Sequence, residues 1–189
     1  MMNDQTACHL VETAADAILA DPKGFGSMLD ELPAAIYVTD TQGTIVYFNP
    51  KCVELAGRTP RAGTDKWCVT WKLFTPDNEA LPHSQCPMAV AIRDRKPVRN
   101  VEAIAERPDG TRLHLLPFPT PLFDGDGRFA GAVNLLLDVT EKRTPDYLRK
   151  QASRCRRLAA ACGDPALDEA LTLMASKYDD QAHRLTRPH

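Results

Sequence analysis

Apolar and polar residues alternate in two rhythms along this 189-residue chain. Near the start, Leu10, Ala14, Ala17 and Ile18 recur at helical spacing. They predict an amphipathic helix over residues 6–20 that the cluster Asp21-Pro22-Lys23-Gly24 ends. A short helical turn through Met28, Leu29 and Leu32 follows. The period then falls to two. Ala35–Thr39 and Thr44–Phe48 are rich in β-branched and aromatic residues, and the turn-forming Asp40-Thr41-Gln42-Gly43 between them predicts a hairpin. Asn49-Pro50 opens a helix with Cys52, Val53, Leu55 and Ala56 on its apolar side and Gly57 as its stop.

Residues 63–82 show no regular period but contain Trp67, Trp71, Leu73 and Phe74, which predicts an irregular loop packed onto the core. Ser84 caps a predicted helix through Met88, Ala89, Ala91 and Ile92. Three strands are expected next, Val98–Arg107, Thr111–Phe118 and Phe129–Val139. Their turns are Pro108-Asp109-Gly110 and Asp124-Gly125-Asp126-Gly127. In the tail, Leu148, Ala152, Cys155, Leu158 or Ala159, and Cys162 recur in steps of three and four, as do Leu167, Leu171, Met174, Tyr178 and Leu185. Gly163, Asp164 and Pro165 suit a C-cap, an N-cap and a first helical position, so two helices are expected there. The whole predicts an α+β fold: a five-stranded antiparallel sheet with helices between its second and third strands, an N-terminal helix (1–24) and a C-terminal helical hairpin (144–189).

Three motifs stand in order within that frame. Tyr37 to Pro50 resembles the opening hairpin of a PAS domain and the asparagine that ends it. Arg107-Pro108-Asp109-Gly110-Thr111 resembles that family's second hairpin turn. Asp138-Val139-Thr140-Glu141-Lys142-Arg143 resembles the exit motif joining the last strand to an output helix. The resemblance covers residues 25–143, and the Trp67–Trp71 and Leu81–Met88 segments are similar to a subgroup common in bacterial sensor kinases. It implies a sensory domain with a pocket between sheet and helices, and gives Asp138 and Thr140 a part in signal relay. The chain departs from those kinases in showing no nucleotide-binding lobe. His183 lacks the setting of a phosphoacceptor histidine, and the Asn-Cys-Arg-Phe-Leu motif of flavin-binding members is absent.

Composition is that of a globular protein, 43% hydrophobic and 25% charged, and the net charge of −2 gives no global attraction to nucleic acid or anionic membranes. No apolar run approaches the roughly 18 residues that span a bilayer, and residues 1–9 lack the pattern of a secretory signal; a cytoplasmic protein is expected, and the resemblance to sensor-kinase modules implies a bacterial one. Six cysteines lie scattered without a CxxC pair, so free thiols and no metal site are expected.

Pocket-lining residues expected from the pattern are Val38, Leu55, Trp71, Met88, Ile92, Val101 and Leu135. His83 and Cys86 stand three apart at a loop–helix junction. Haem-binding PAS members place their axial ligand on this helix, so the resemblance makes both candidate haem ligands; Cys86 equally suits a buried apolar filler and His83 a loop residue. Trp67 and Trp71 suit either a pocket wall or a loop core. The faces of His114 and Asn134 stay open. The basic residues Arg149, Lys150, Arg154, Arg156 and Arg157 suit a solvated helix face, an acidic partner or nucleic acid. No paired carboxylates or activated nucleophile are visible, so an enzyme is not expected. The expected function is a sensory or interaction module that binds a small ligand or a partner such as a kinase or regulator, forms a homodimer through its helical segments and relays its signal by contact. The alternatives are a haem-based gas or redox sensor and a transcriptional regulator.

Overall fold

The protein is described from a computed structural model, which covers residues 4–21, 24–161 and 164–186. The expectations placed on Pro22, Lys23, Cys162 and Gly163 lie outside the described residues. Two compact units result, Met1–Asp138 and Val139–His189.

The first unit holds one antiparallel sheet in the order β2-β1-β6-β5-β4-β3. Its strands are β1 (Ala35–Thr39), β2 (Ile45–Phe48), β3 (Lys72–Phe74), β4 (Ala103–Glu106), β5 (Arg112–Phe123) and β6 (Phe129–Asp138). The sheet therefore has six strands where the sequence pattern gives five. The added strand, β3, is three residues of the Trp-rich loop laid against β4, with Leu73 opposite Ala105. Three residues are too few for alternation to show. β4 begins only at Ala103, and Val101 precedes it on an exposed stretch. β5 runs past its expected end at Phe118 to Phe123 and carries Pro117, Pro119 and Pro121. At a spacing of two, their missing N–H groups all fall on one edge of the strand, and β4 pairs with β5 only as far as Leu115, so no β4 ladder bond is lost there.

Both sheet faces are covered. On one lie α3 (Pro50–Ala56) and α4 (Pro87–Asp94), over a core of Ala35, Tyr37, Met88, Ile92, Leu115 and Leu136. Toward the other comes α1 (Asp4–Ala20), which packs on β5 and β6 and buries Ala7, Val11, Ala14 and Ile18 at steps of three and four. A short helix, α2 (Phe25–Asp30), leads into β1. The sheet edges are partly shielded. Along β2, the Ile45 N–H donates to Asp65 O (2.9 Å) and the Trp67 N–H to Gly43 O (2.8 Å); along β3, the Leu81 N–H donates to Leu73 O (2.8 Å).

Asn49 ties these layers together. Its fully buried amide accepts from the N–H groups of Ile36 (3.1 Å) and Cys52 (3.3 Å) and donates to Leu29 O (3.0 Å) and Ala34 O (2.9 Å). One side chain thus caps α3 and fixes α2 against β1.

The second unit comprises a 3₁₀ turn (Thr140–Arg143) and two helices, α5 (Pro145–Ala161) and α6 (Pro165–Thr186). The Asp164 carboxylate accepts from the Ala166 N–H (2.9 Å) and Pro165 takes the first helical position, as the sequence predicts.

Candidate functional site

Strand parity decides what faces the helices. Tyr37 and Asn134 stand directly opposite each other on β1 and β6, and both point toward α4. The Asn134 amide donates to the Tyr37 hydroxyl (2.9 Å), which donates to the carbonyl of Trp67 (2.9 Å). The other end of the amide, its oxygen, accepts from the Phe118 N–H (3.0 Å). Every polar atom of this buried pair is therefore engaged. Trp67 turns its carbonyl inward because its backbone is left-handed, with φ at +69°. Few large side chains tolerate that conformation. Here the Trp67 N–H bond to Gly43 and the Tyr37 bond to its carbonyl hold it from both sides.

Around this chain of hydrogen bonds the interior is nearly solid. Cys68, Leu73, Cys86, Met88, Ala103 and Leu115, with Tyr37 and Asn134, enclose a cavity of about 20 Å³. That holds about one water molecule; a pocket for a ligand of ordinary size has roughly 300–1,000 Å³. Burial, then the neighbouring Cys68 and Cys86 thiols, holds the Tyr37 phenol well above its ordinary pKa. Burial also raises the thiols of Cys52 and Cys68, and pushes Cys86 up to about 12.

The residues expected to line a pocket are dispersed. Met88 lines the small cavity, and Ile92 packs in the same core. Val38 and Leu135 alternate with Tyr37, Asn134 and Leu136, so they face the opposite side of the sheet. Trp71 and Val101 are 44% and 45% exposed, and the Lys72 ammonium lies 4.0 Å above the Trp71 ring. Leu55 lines a separate open groove of about 620 Å³, together with Lys51, Glu54, Arg107, Leu137 and Asp138. Asp138 ends β6 and Thr140 begins the 3₁₀ turn, so these two residues flank the boundary of the two units. His114 stands opposite Ile104, on the face away from α4. Tyr37 and Cys68 escaped the sequence reading. The signal for Tyr37 was its alternation with Ala35 in β1, which needed one anchored neighbour to fix the face.

The haem candidates do not come together as a haem site. The Cys86 thiol, 1% exposed, faces the Trp67 carbonyl (3.9 Å), and as a protonated thiol it is a poor ligand. His83 sits on a 3₁₀ turn with its Nε2 buried and without a hydrogen-bond partner. Burial lowers its pKa, and the nearby Arg58 adds to this. Arg58 is ion-paired with Asp65 and donates to the carbonyls of Val69 and Thr70 (3.2 Å each), which pins the loop beneath His83. A haem does not fit a 20 Å³ space. Among the described residues, no group of three or more His, Cys, Asp or Glu is placed to hold a metal ion, and no helix is long and apolar enough to cross a membrane.

The PAS fold family matches residues 29–144, more than half of the chain. The chain belongs to the PAS family. Its sheet, the α3–α4 layer and the exit segment at Asp138 are those of a PAS domain, the fold of sensory modules. Uncharacterized protein y4lL of Sinorhizobium fredii (strain NBRC 101917 / NGR234) is 27% identical over 139 residues, 74% of this chain. The chain spans 16% of that protein's length. Among solved structures, the PAS domain of the fruit-fly ELK potassium channel superposes with a TM-score of 0.50 at 17% identity, over 64% of this chain and 98% of that one. The Rhodobacter sphaeroides LOV protein gives 0.45 at 12% identity, over 94% and 99%.

Proposed function

We propose that this PAS protein is an interaction module that passes its signal by protein contact, without catalysis and without a resident cofactor. The observation that carries this reading is the filled interior. The space between sheet and α4 is occupied by the protein's own Tyr37, Cys68, Cys86, Met88 and Asn134, leaving about 20 Å³. The tail offers the contact surface in this reading. There Leu158, Leu167, Leu173, Met174 and Leu185 are all exposed. The exit segment from Asp138 to Thr140 joins the sheet to that tail and is the route for the signal. The free, buried thiols of Cys52, Cys68 and Cys86 suit a reducing compartment, in keeping with a cytoplasmic bacterial protein.

Native mass spectrometry of freshly purified protein, with an absorbance spectrum of the same sample, tests the reading. The expected result is the mass of the bare chain or a multiple of it, with no band in the visible. A retained small molecule, or a Soret band after haem supplementation, overturns it.

A further inference from the structure

α5 and α6 meet along a seam of small side chains. Ala152 and Cys155 pack with Ala175 and the ring of Tyr178, and Ala159 and Ala182 are buried as well. Residues one step after the seam meet on one side of the hairpin. Arg156 follows Cys155, Asp179 follows Tyr178, and the two form an ion pair at 2.6 Å. Residues one step before the seam therefore lie on the other side. Leu158 precedes Ala159, and Met174 precedes Ala175. Leu167 and Leu185 continue the row of Met174 at helical spacing. These four are between 46% and 50% exposed. They line one side of the hairpin as a ledge, with Lys177 and Gln181 between Met174 and Leu185, and from Leu167 to Leu185 the row runs about 27 Å at 1.5 Å per residue.

The ledge has a basic rim. Arg154 precedes Cys155 and so borders it, with Lys150 and Arg157 one turn to either side. These three, with Arg149, Gln151 and Ser153, frame a surface groove of about 430 Å³. Arg149 and Arg156 have carboxylate partners in Asp146 (3.4 Å) and Asp179. For Lys150, Arg154 and Arg157 the described residues supply none.

We propose that this ledge docks an amphipathic helix of a partner protein, one whose apolar seam is flanked by acidic side chains. The inference rests on the reading that the chain signals by protein contact, and it names the partner's chemistry. Charge selects against the other occupants. A second copy packed α5 on α5, one form of the homodimer expected from the helical pattern, would bring Lys150, Arg154 and Arg157 against the same residues. A nucleic-acid backbone would satisfy the rim but leave the four apolar side chains uncovered. An acidic-flanked apolar helix satisfies both, and its length is that of the ledge.

Two synthetic helical peptides of about 18 residues test this, matched to the ledge length. Both carry the same leucine seam; one has glutamate and the other lysine on its flanks. Fluorescence anisotropy with the full chain is expected to show the glutamate peptide binding at least about tenfold more tightly. The double variant R154E/R157E, whose changes are at exposed positions, is expected to reverse that preference. Met174→Ser is expected to weaken both peptides. Equal binding of the two peptides, or a preference that the double variant leaves unchanged, overturns the proposal. So does a light-scattering dimer that Met174→Ser and Leu158→Ser turn into monomer, which makes a second copy the occupant and leaves the contact reading standing. Binding of neither peptide by a monomeric chain overturns both.

Discussion

The side-chain amide of Asn134 and the phenol of Tyr37, directly opposite on β6 and β1, form a 2.9 Å hydrogen bond in the core of the sheet. Together with the Trp67 carbonyl they occupy the space beneath α4 with protein atoms. Asn134→Ala removes this bond and the one that the Phe118 N–H makes to Asn134, and leaves both former partners buried. It is expected to lower stability by about 2–4 kcal/mol. The urea midpoint measures it, and a midpoint equal to the wild type's would mean that the network contributes nothing.

Asn49 serves as donor to two carbonyls and acceptor from two N–H groups. Asn49→Ala is expected to cost about 2–4 kcal/mol. Asn49→Asp keeps the size and the acceptors but sets a carboxylate against the carbonyls of Leu29 and Ala34. Its defect should shrink as pH falls and the carboxyl protonates. Thermal melts at pH 4 and pH 7 distinguish the two variants; parallel losses at both pH values would contradict the donor role.

His83 gives the wild type a pH dependence of known sign. Burial, with Arg58 nearby, lowers its folded-state pKa below the ordinary 6.5. Below about pH 6.5 the unfolded chain therefore binds a proton that the folded chain resists, and stability falls as pH drops. His83→Gln cannot titrate, so its melting temperature between pH 7.5 and pH 5 should fall less than the wild type's. Parallel curves would show that the imidazole titrates alike in both states.

Gly43 and Gly110 both have positive φ, +77° and +84°, but differ in their surroundings. A Cβ at Gly43 would lie 2.1 Å from the Trp67 ring, whereas nothing lies within 4 Å of one at Gly110. Gly110→Ala should cost only the backbone term, about 1 kcal/mol. Gly43→Ala must also displace Trp67 and is expected to cost clearly more, about 3 kcal/mol. Chemical denaturation of the two side by side is the check; equal losses would mean that the Trp67 ring moves aside freely.

The sequence made the architecture readable where local chemistry and periodicity agreed. The hairpin around Asp40–Gly43, the cap at Asn49 and the Asp164-Pro165 helix start each carry their own signal. The site was harder because a strand's alternation shows two faces without saying which is inward. Val38 and Leu135 were expected in the pocket, but the parity of Tyr37 and Asn134 places them on the other side of the sheet. Trp71 and Val101 belong to segments where β3 and β4 are short, so neighbouring apolar residues are not held in register toward the core. The volume of the cavity could not be read from the chain at all. It depends on how Met88 and Leu115 meet Tyr37 across long sequence separations.

The partly shielded edges of the sheet bear on how this protein behaves when crowded. An open strand edge is a template on which like chains stack into fibrils. Here the segment around Asp65 and Trp67 shields β2, and the turn back to Leu81 shields β3. The Arg58–Asp65 ion pair is one of the ties that hold the first shield down. Weakening that tie would loosen the backbone bonds that Gly63 and Asp65 make to Ile45 and open that end of β2 to pairing with another chain.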